Sequence, residues 1–273
     1  KIRTQPGSTD HTLAIINEFS KLNPGKVTIF SQRLEHNGAC GNFFRLIHDV
    51  PHSYKYYAFC DQDDVWFEDK LARSVEILRD SYRENVLVVC DCCIIDKDME
   101  LERNSFVHEI TGTDPHKAKL HNIIAHNWAL GAAMLFTKSM LDLISKTEDT
   151  KELVMYDYWI IILATTLGRI EFLDDVLYCY RQHERNYVGA TKIKINVIPH
   201  KAKLACKELR KKERQANYFL EVYGDDLSDA HRSLLKGFAN IKRLTKFQRI
   251  KWLQTNNIVM GDFLSQIGLI VFI

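Results

Sequence analysis

The chain has 273 residues, 46% hydrophobic and 26% charged, with 37 Lys and Arg against 35 Asp and Glu for a formal net charge of +2. That composition is ordinary for a globular protein with a sizeable core, and so small a net charge gives no argument for nucleic acid as a partner. No apolar run reaches the roughly 18 residues of a membrane-spanning helix; the run 267–273 falls far short.

In chain order, Gly7-Ser8-Thr9-Asp10 leads into an amphipathic helix with Leu13, Ile16 and Phe19 on one face and Ser8 or Thr9 as its N-cap. Residues 26–30 predict a strand, 41–49 a helix, and 56–60 a second strand ending at an acidic turn. A helix over 68–82 follows, with Leu71, Val75 and Leu78 as its buried face, and then a strand over 86–95. A short helix lies around 115–125, a strand over 130–136 and a helix over 139–145. Residues 156–166 form a strongly apolar helix with Asp157 in its first turn, and two short strands flank Asp174-Asp175. Strands alternating with helices at this spacing predict an α/β fold with a mostly parallel sheet, in which functional groups gather at the carboxyl ends of strands. From about residue 197 the pattern changes to charged amphipathic helices over 199–223, 227–242 and 245–256, a helical appendage with basic clusters at 201–214 and 242–251.

The run KYYAFCDQDDVW, residues 55–66, delivers Asp61, Asp63 and Asp64 into one tight turn after an apolar strand. Like charges at that spacing repel and raise one another's pKa, so the cluster points to a hard divalent cation such as Mn²⁺ or Mg²⁺, or to a cationic partner. The plainer reading is a solvated loop, or acids favoured at a helix start by the macrodipole. Asp157 has the same alternative, but Tyr156, Tyr158 and Trp159 around it would desolvate the carboxylate and suit it to general-base work. Arg181 and His183, at the end of a strand, could bind a phosphate or simply lie on the surface. Gly38 and Gly41 lack any phosphate-loop spacing. The seven cysteines include no CxxC pair and follow no signal peptide, which predicts a reducing, cytoplasmic setting. Cys90, Cys92 and Cys93 read as buried strand residues rather than metal ligands.

Taken together, these blocks resemble a family 2 glycosyltransferase of the GT-A fold, in particular the bacterial rhamnosyltransferase-like branch. Gly7-Ser8-Thr9-Asp10 resembles the end of the DDGSTD nucleotide block, 59–66 the SDQDDIW form of the DxD motif, 128–136 the glycine-containing acceptor-side strand, and 156–159 the HDWW helix start. Tyr180-Arg181-Gln182-His183 with Asn186 and Gly189 resembles the YRQHxxNxxG closing segment. The resemblance runs from residue 7 to about 190, so 1–196 is expected as the transferase domain and 197–273 as the helical region. It implies an inverting, metal-dependent transfer of a sugar, rhamnose by the family branch, from a nucleotide-diphosphate donor to a lipid-linked or polysaccharide acceptor of the bacterial surface. Asp157 would be the base, Asp63 and Asp64 metal ligands, and Asp61, Arg181 and His183 donor-diphosphate residues, with Trp159 and Gly131 on the acceptor side.

Gln5-Pro6 stand where the family has paired aspartates, and its first strand is not found. Residues 1–273 by themselves are therefore expected to bind nucleotide sugar poorly. Two rival readings follow from the same residues. One is a non-catalytic remnant or interaction module. The other is a haloacid-dehalogenase-like phosphatase with Asp61 as nucleophile, Asp63 as acid and Asp174-Asp175 as magnesium ligands. The basic C-terminal helices are either solvated faces or a peripheral contact with an anionic inner leaflet.

Overall fold

The computed structural model describes residues 10–30, 38–79, 84–183 and 198–258, with side chains from 207 onward in the last segment. Gly7, Ser8, Thr9, Asn186 and Gly189 lie outside these residues. Helix α1 (Thr12–Leu22) has His11 at its N-cap position, two or three residues later than predicted, and the Asp10 carboxylate accepts the Thr12 N–H at 3.0 Å. None of its residues is buried, and Leu13 and Phe19 stay exposed. The predicted strand at 26–30 is reduced to a single bridge at Ile29. Helix α2 (Gly38–Asp49) buries Cys40, Phe44 and Ile47. Strand β1 (Tyr56–Ala58) leads to the acidic turn, and a strand too short to show any periodicity, β2 (Val65–Trp66), leaves it.

Helix α3 (Lys70–Leu78) buries Lys70, Ser74 and Leu78, a face rotated from the predicted one, with Leu71 exposed. Strand β3 (Val86–Ile95) is buried along its whole length and pairs at its end with β4 (Leu101–Arg103). A short helix α4 (Leu120–Ile123) precedes a 3-10 turn at Gly131–Ala133, which takes the first half of the predicted 130–136 strand and leaves β5 (Met134–Thr137). Helix α5 (Lys138–Ile144) is capped by the Thr137 hydroxyl, which accepts from the Met140 N–H. Helix α6 (Tyr156–Leu167) is buried from Tyr156 to Ala164.

The two strands predicted around Asp174-Asp175 are one, β6 (Arg169–Arg181). Its register against β3 jumps from Cys90↔Leu173 to Asp91↔Val176, so the two aspartates bulge out without breaking the ladder. The sheet order is β1-β5-β3-β6-β2, with β4 also on β3. Among the described strands only β3 and β6 pair in parallel; the other pairings are antiparallel, so the sheet is mixed rather than mostly parallel. The cause is the connection 96–133, which returns to the end of the sheet where β3 finishes and sends β5 back beside it. β1, β3 and β6 nevertheless share one direction, and their carboxyl ends lie at the same edge.

Helices α7 (Ile198–Tyr223), α8 (Asp229–Ala239) and α9 (Lys246–Thr255) follow the predicted spans closely. They are an appendage in sequence order only. Leu209, Ala216, Phe219, Tyr223, Leu235 and Phe238 belong to the same hydrophobic core as α6 and the sheet.

Candidate active site

The acidic turn is fixed at both ends. Before it, Phe59 packs its ring against Phe43, Phe136 and Tyr156. After it, Val65 and Trp66 pair with Cys179 and Tyr178 of β6. That pairing brings the turn against the end of β6, so two blocks more than a hundred residues apart meet. The Arg181 N–H donates to Asp64 Oδ1 at 3.3 Å, the Arg181 Nε–H donates to the Asp63 carbonyl at 2.9 Å, and His183 Nε2 lies 2.8 Å from Asp63 Oδ2.

Burial, with repulsion from Asp63, lifts the Asp61 carboxyl to about 6. Burial and then Asp61 lift Asp64 to about 7, against the opposing pull of Arg181. Asp64 Oδ2 is buried with no hydrogen-bond partner. An orphaned anionic oxygen among repelling carboxylates is what a divalent cation would relieve. Among the described residues no three His, Cys, Asp or Glu side chains converge as a ready-made cage. Mn²⁺ or Mg²⁺ held by one or two carboxylates and completed by substrate phosphates and water needs no such cage, so the residues fit.

Beneath the turn lies Lys70, fully buried, with its ammonium 4.3 Å from the centre of the Trp66 ring. Burial pulls its pKa down, while Cys90, Cys60 and Asp64 pull it up. The charge of this side chain, not an apolar one, sets the inner face of α3.

Asp157 stands at the start of α6, 7% exposed. Its Oδ1 accepts the Tyr158 N–H at 2.6 Å and the Asn127 side-chain amide at 3.2 Å. Burial first, and then the charge of Asp61, raise its pKa to about 7, while backbone N–H groups of Tyr158 and Gly131 oppose the rise. The structure therefore couples Asp157 electrostatically to the acidic turn. Tyr156 bridges the two: its ring stacks on Phe43 at 4.1 Å, and its phenol is held well above its ordinary pKa by burial and by Asp61, Asp157 and Asp64. Gly131 belongs to this site for a steric reason, because a Cβ there would lie 1.8 Å from the Tyr156 hydroxyl oxygen.

Trp159 is placed elsewhere. Two residues along a helix are roughly 200° around it, so Trp159 points away from Asp157. It has no exposed surface, its Nε1–H donates to Thr147 Oγ1 at 2.9 Å, and its ring packs on Tyr218 and Phe219 of α7. It has no surface to offer an acceptor, and it joins the helical region to the core. Asp174 and Asp175 are likewise engaged away from the turn, Asp174 with His108 and His116 at 3.2 and 2.8 Å and Asp175 with Arg73. The described cysteines are free thiols, with Cys90, Cys92 and Cys93 buried in β3. Tyr156 shields Asp157 as expected, whereas Asn127 and Lys70 were not singled out by sequence.

A curled mixed sheet flanked by helices, with an acidic turn at the carboxyl edge, defines a GT-A-like glycosyltransferase architecture. The family model "Glycosyl transferase family 2" matches residues 6–137. The chain is 28% identical over 193 residues to "dTDP-rhamnosyl transferase RfbG" of Shigella flexneri, covering 67% of this chain and 62% of that protein. It is 27% identical over 183 residues to an uncharacterized glycosyltransferase of Nostoc, covering 66% of this chain and 54% of the relative. A crystal structure of S. aureus TarS 1-349 superposes with a TM-score of 0.52 at 15% identity, covering 88% of this chain and 60% of that one, a likeness of fold. The chain thus spans less than two thirds of the length of each. Together these findings support a glycosyltransferase similar to family 2.

Proposed function

We propose that this protein is an inverting glycosyltransferase that moves a sugar, rhamnose by analogy with the Shigella relative, from a nucleoside-diphosphate donor to a surface-polysaccharide or lipid-linked acceptor. The observation that carries the reading is the meeting of the acidic turn with Arg181 and His183, beside a buried carboxylate whose pKa lies near 7. In the reaction the acceptor hydroxyl oxygen bonds to the anomeric carbon. The bond from that carbon to the diphosphate oxygen breaks, and its electron pair leaves with the nucleoside diphosphate. The hydroxyl proton goes to Asp157, whose affinity for protons near neutrality suits the task.

Asp63 and Asp64 would hold a divalent cation, which when bound offsets charge on the departing diphosphate. Arg181 and His183 hold the turn and present cationic and donor groups to the same phosphates. Tyr156 and Gly131 keep Asp157 dry, and Trp159 supports α6 from behind. Residues 1–196 would carry the chemistry and 197–273 the helical support. No described helix is long and apolar enough to cross a membrane. Phe247, 78% exposed, sits with exposed Arg243, Lys246 and Lys251 around α9, which favours contact with an anionic membrane surface where a lipid-linked acceptor would reside.

Transfer from dTDP-rhamnose by the natural protein, followed with radiolabelled donor and a lipid-linked acceptor, tests the proposal. Metal-dependent product absent from Asp157→Asn supports it. Equal product from Asp157→Asn refutes it.

A further inference from the structure

Two interior carbonyls of the segment after α4 find unusual donors. Ile124 and Ala125 are both buried. The Ile124 carbonyl accepts the Tyr158 hydroxyl at 2.7 Å, and the Ala125 carbonyl accepts the Lys212 ammonium at 2.6 Å. Lys212 comes from α7, and its ammonium lies 5.9 Å from the centre of the Tyr158 ring. Burial pulls its pKa down to about 8. Placing an ammonium there carries a desolvation penalty that a neutral donor would avoid, so the contact is not filler.

Two residues further on, Asn127 Oδ1 accepts the Ala129 N–H at 3.1 Å. That backbone donor fixes which way the amide points. Its Nδ2 donates to the Ala129 carbonyl at 2.9 Å and to Asp157 Oδ1 at 3.2 Å. Tyr158, the residue after Asp157, clamps the same turn. Asp157 Oδ1 thus carries two donors, the Tyr158 N–H and the Asn127 amide.

We propose that Asn127 and Lys212 are positioning residues: Lys212, from the helical C-terminal region, pins the 124–127 turn, and Asn127 on that turn orients the Asp157 carboxylate toward the acceptor hydroxyl. The inference rests on the reading of Asp157 as the base. It makes the helical region part of the catalytic apparatus, acting through one backbone carbonyl.

The test has two readouts on the same proteins: the ¹³C-carboxyl titration of aspartate-labelled protein, with Asp157→Asn identifying the resonance, and the acid limb of the kcat/KM profile. Asn127→Ala removes a donor to the ionised form, so the Asp157 midpoint should rise by about one pH unit, with the acid limb following. Lys212→Met should move both the same way by less, and Lys212→Arg should restore them. Asn127→Ser replaces Asn127→Ala if the latter fails to fold by circular dichroism. Folded Asn127 and Lys212 variants with unmoved midpoints would overturn this inference alone. Transfer retained by Asp157→Asn would overturn the base and, with it, the positioning role.

Discussion

Replacing Asp157 by asparagine should trade activity for stability. The carboxylate is 7% exposed, and its pKa stands at about 7 against an ordinary 3.8. A difference of that size corresponds to on the order of 4 kcal/mol at 1.36 kcal/mol per pH unit, fully expressed only above pH 7. Relaxation around the charge recovers part of it, so a gain of about 1–3 kcal/mol for Asp157→Asn is expected. The sign follows from proton counting. Between pH 3.8 and about 7 the folded wild type binds more protons than the unfolded chain, so its stability falls as pH rises through that window. The advantage of the variant should therefore be absent at pH 4, grow to pH 7 and then level off. Urea unfolding of both proteins from pH 4 to pH 9 measures it. Transfer should fall roughly 100- to 10,000-fold, the usual contribution of a general base. A variant less stable than wild type at pH 8, or one that keeps its activity, would refute the account of a desolvated base.

Gly131→Ala should destabilise by about 1–3 kcal/mol and weaken transfer, because its Cβ would meet the Tyr156 hydroxyl; a neutral effect in thermal unfolding would deny the close approach. The double change Asp61→Asn with Asp64→Asn should leave metal-free protein unchanged near pH 4 and more stable above pH 7, since folded pKa values of about 6 and about 7 mean that the cost of burying charge, and with it the mutual repulsion, appears only as these groups ionise. Equal unfolding midpoints at pH 8 would count against it. Phe247→Ser with Lys246→Glu should lower co-sedimentation with phosphatidylglycerol vesicles several-fold and leave neutral vesicles unaffected; binding indifferent to anionic lipid would remove the proposed membrane contact.

Much of the fold was legible where one physical signal dominated. The run 86–95, apolar but for Asp91, read as a buried strand and is one, and the long amphipathic patterns after 197 set α7, α8 and α9 to within a few residues. Strand direction was not legible, because side-chain periodicity is the same in parallel and antiparallel ladders. Asp174-Asp175 read as a break because charge usually ends a strand; a bulge and partners at His108, His116 and Arg73 let β6 continue. The inner face of α3 was misjudged because Lys70 is buried through its contact with Trp66.

At the site, the residue types were visible and their use was only partly so. Asp63, Asp64, Arg181 and His183 do come together, with Asp61 beside Asp63, a meeting that the family resemblance implied and the residues alone left open. Trp159 shares a motif with Asp157 but occupies the opposite face of α6, a consequence of helical geometry that a contiguous motif hides. Asn127 and Lys212 gave no warning, since each acts through contacts made only in three dimensions.

The central claim is that the acidic turn binds a cation and a nucleoside diphosphate together. Thermal unfolding with MnCl₂ and millimolar dTDP, each alone and combined, tests it even if affinity is weak, because a ligand of the native state stabilises as RT ln(1 + [L]/Kd). The account predicts that the combination stabilises wild type by more than the sum of the separate effects and that Asp64→Asn abolishes the excess. Stabilisation by dTDP that is indifferent to Mn²⁺ and unchanged in Asp64→Asn would contradict it.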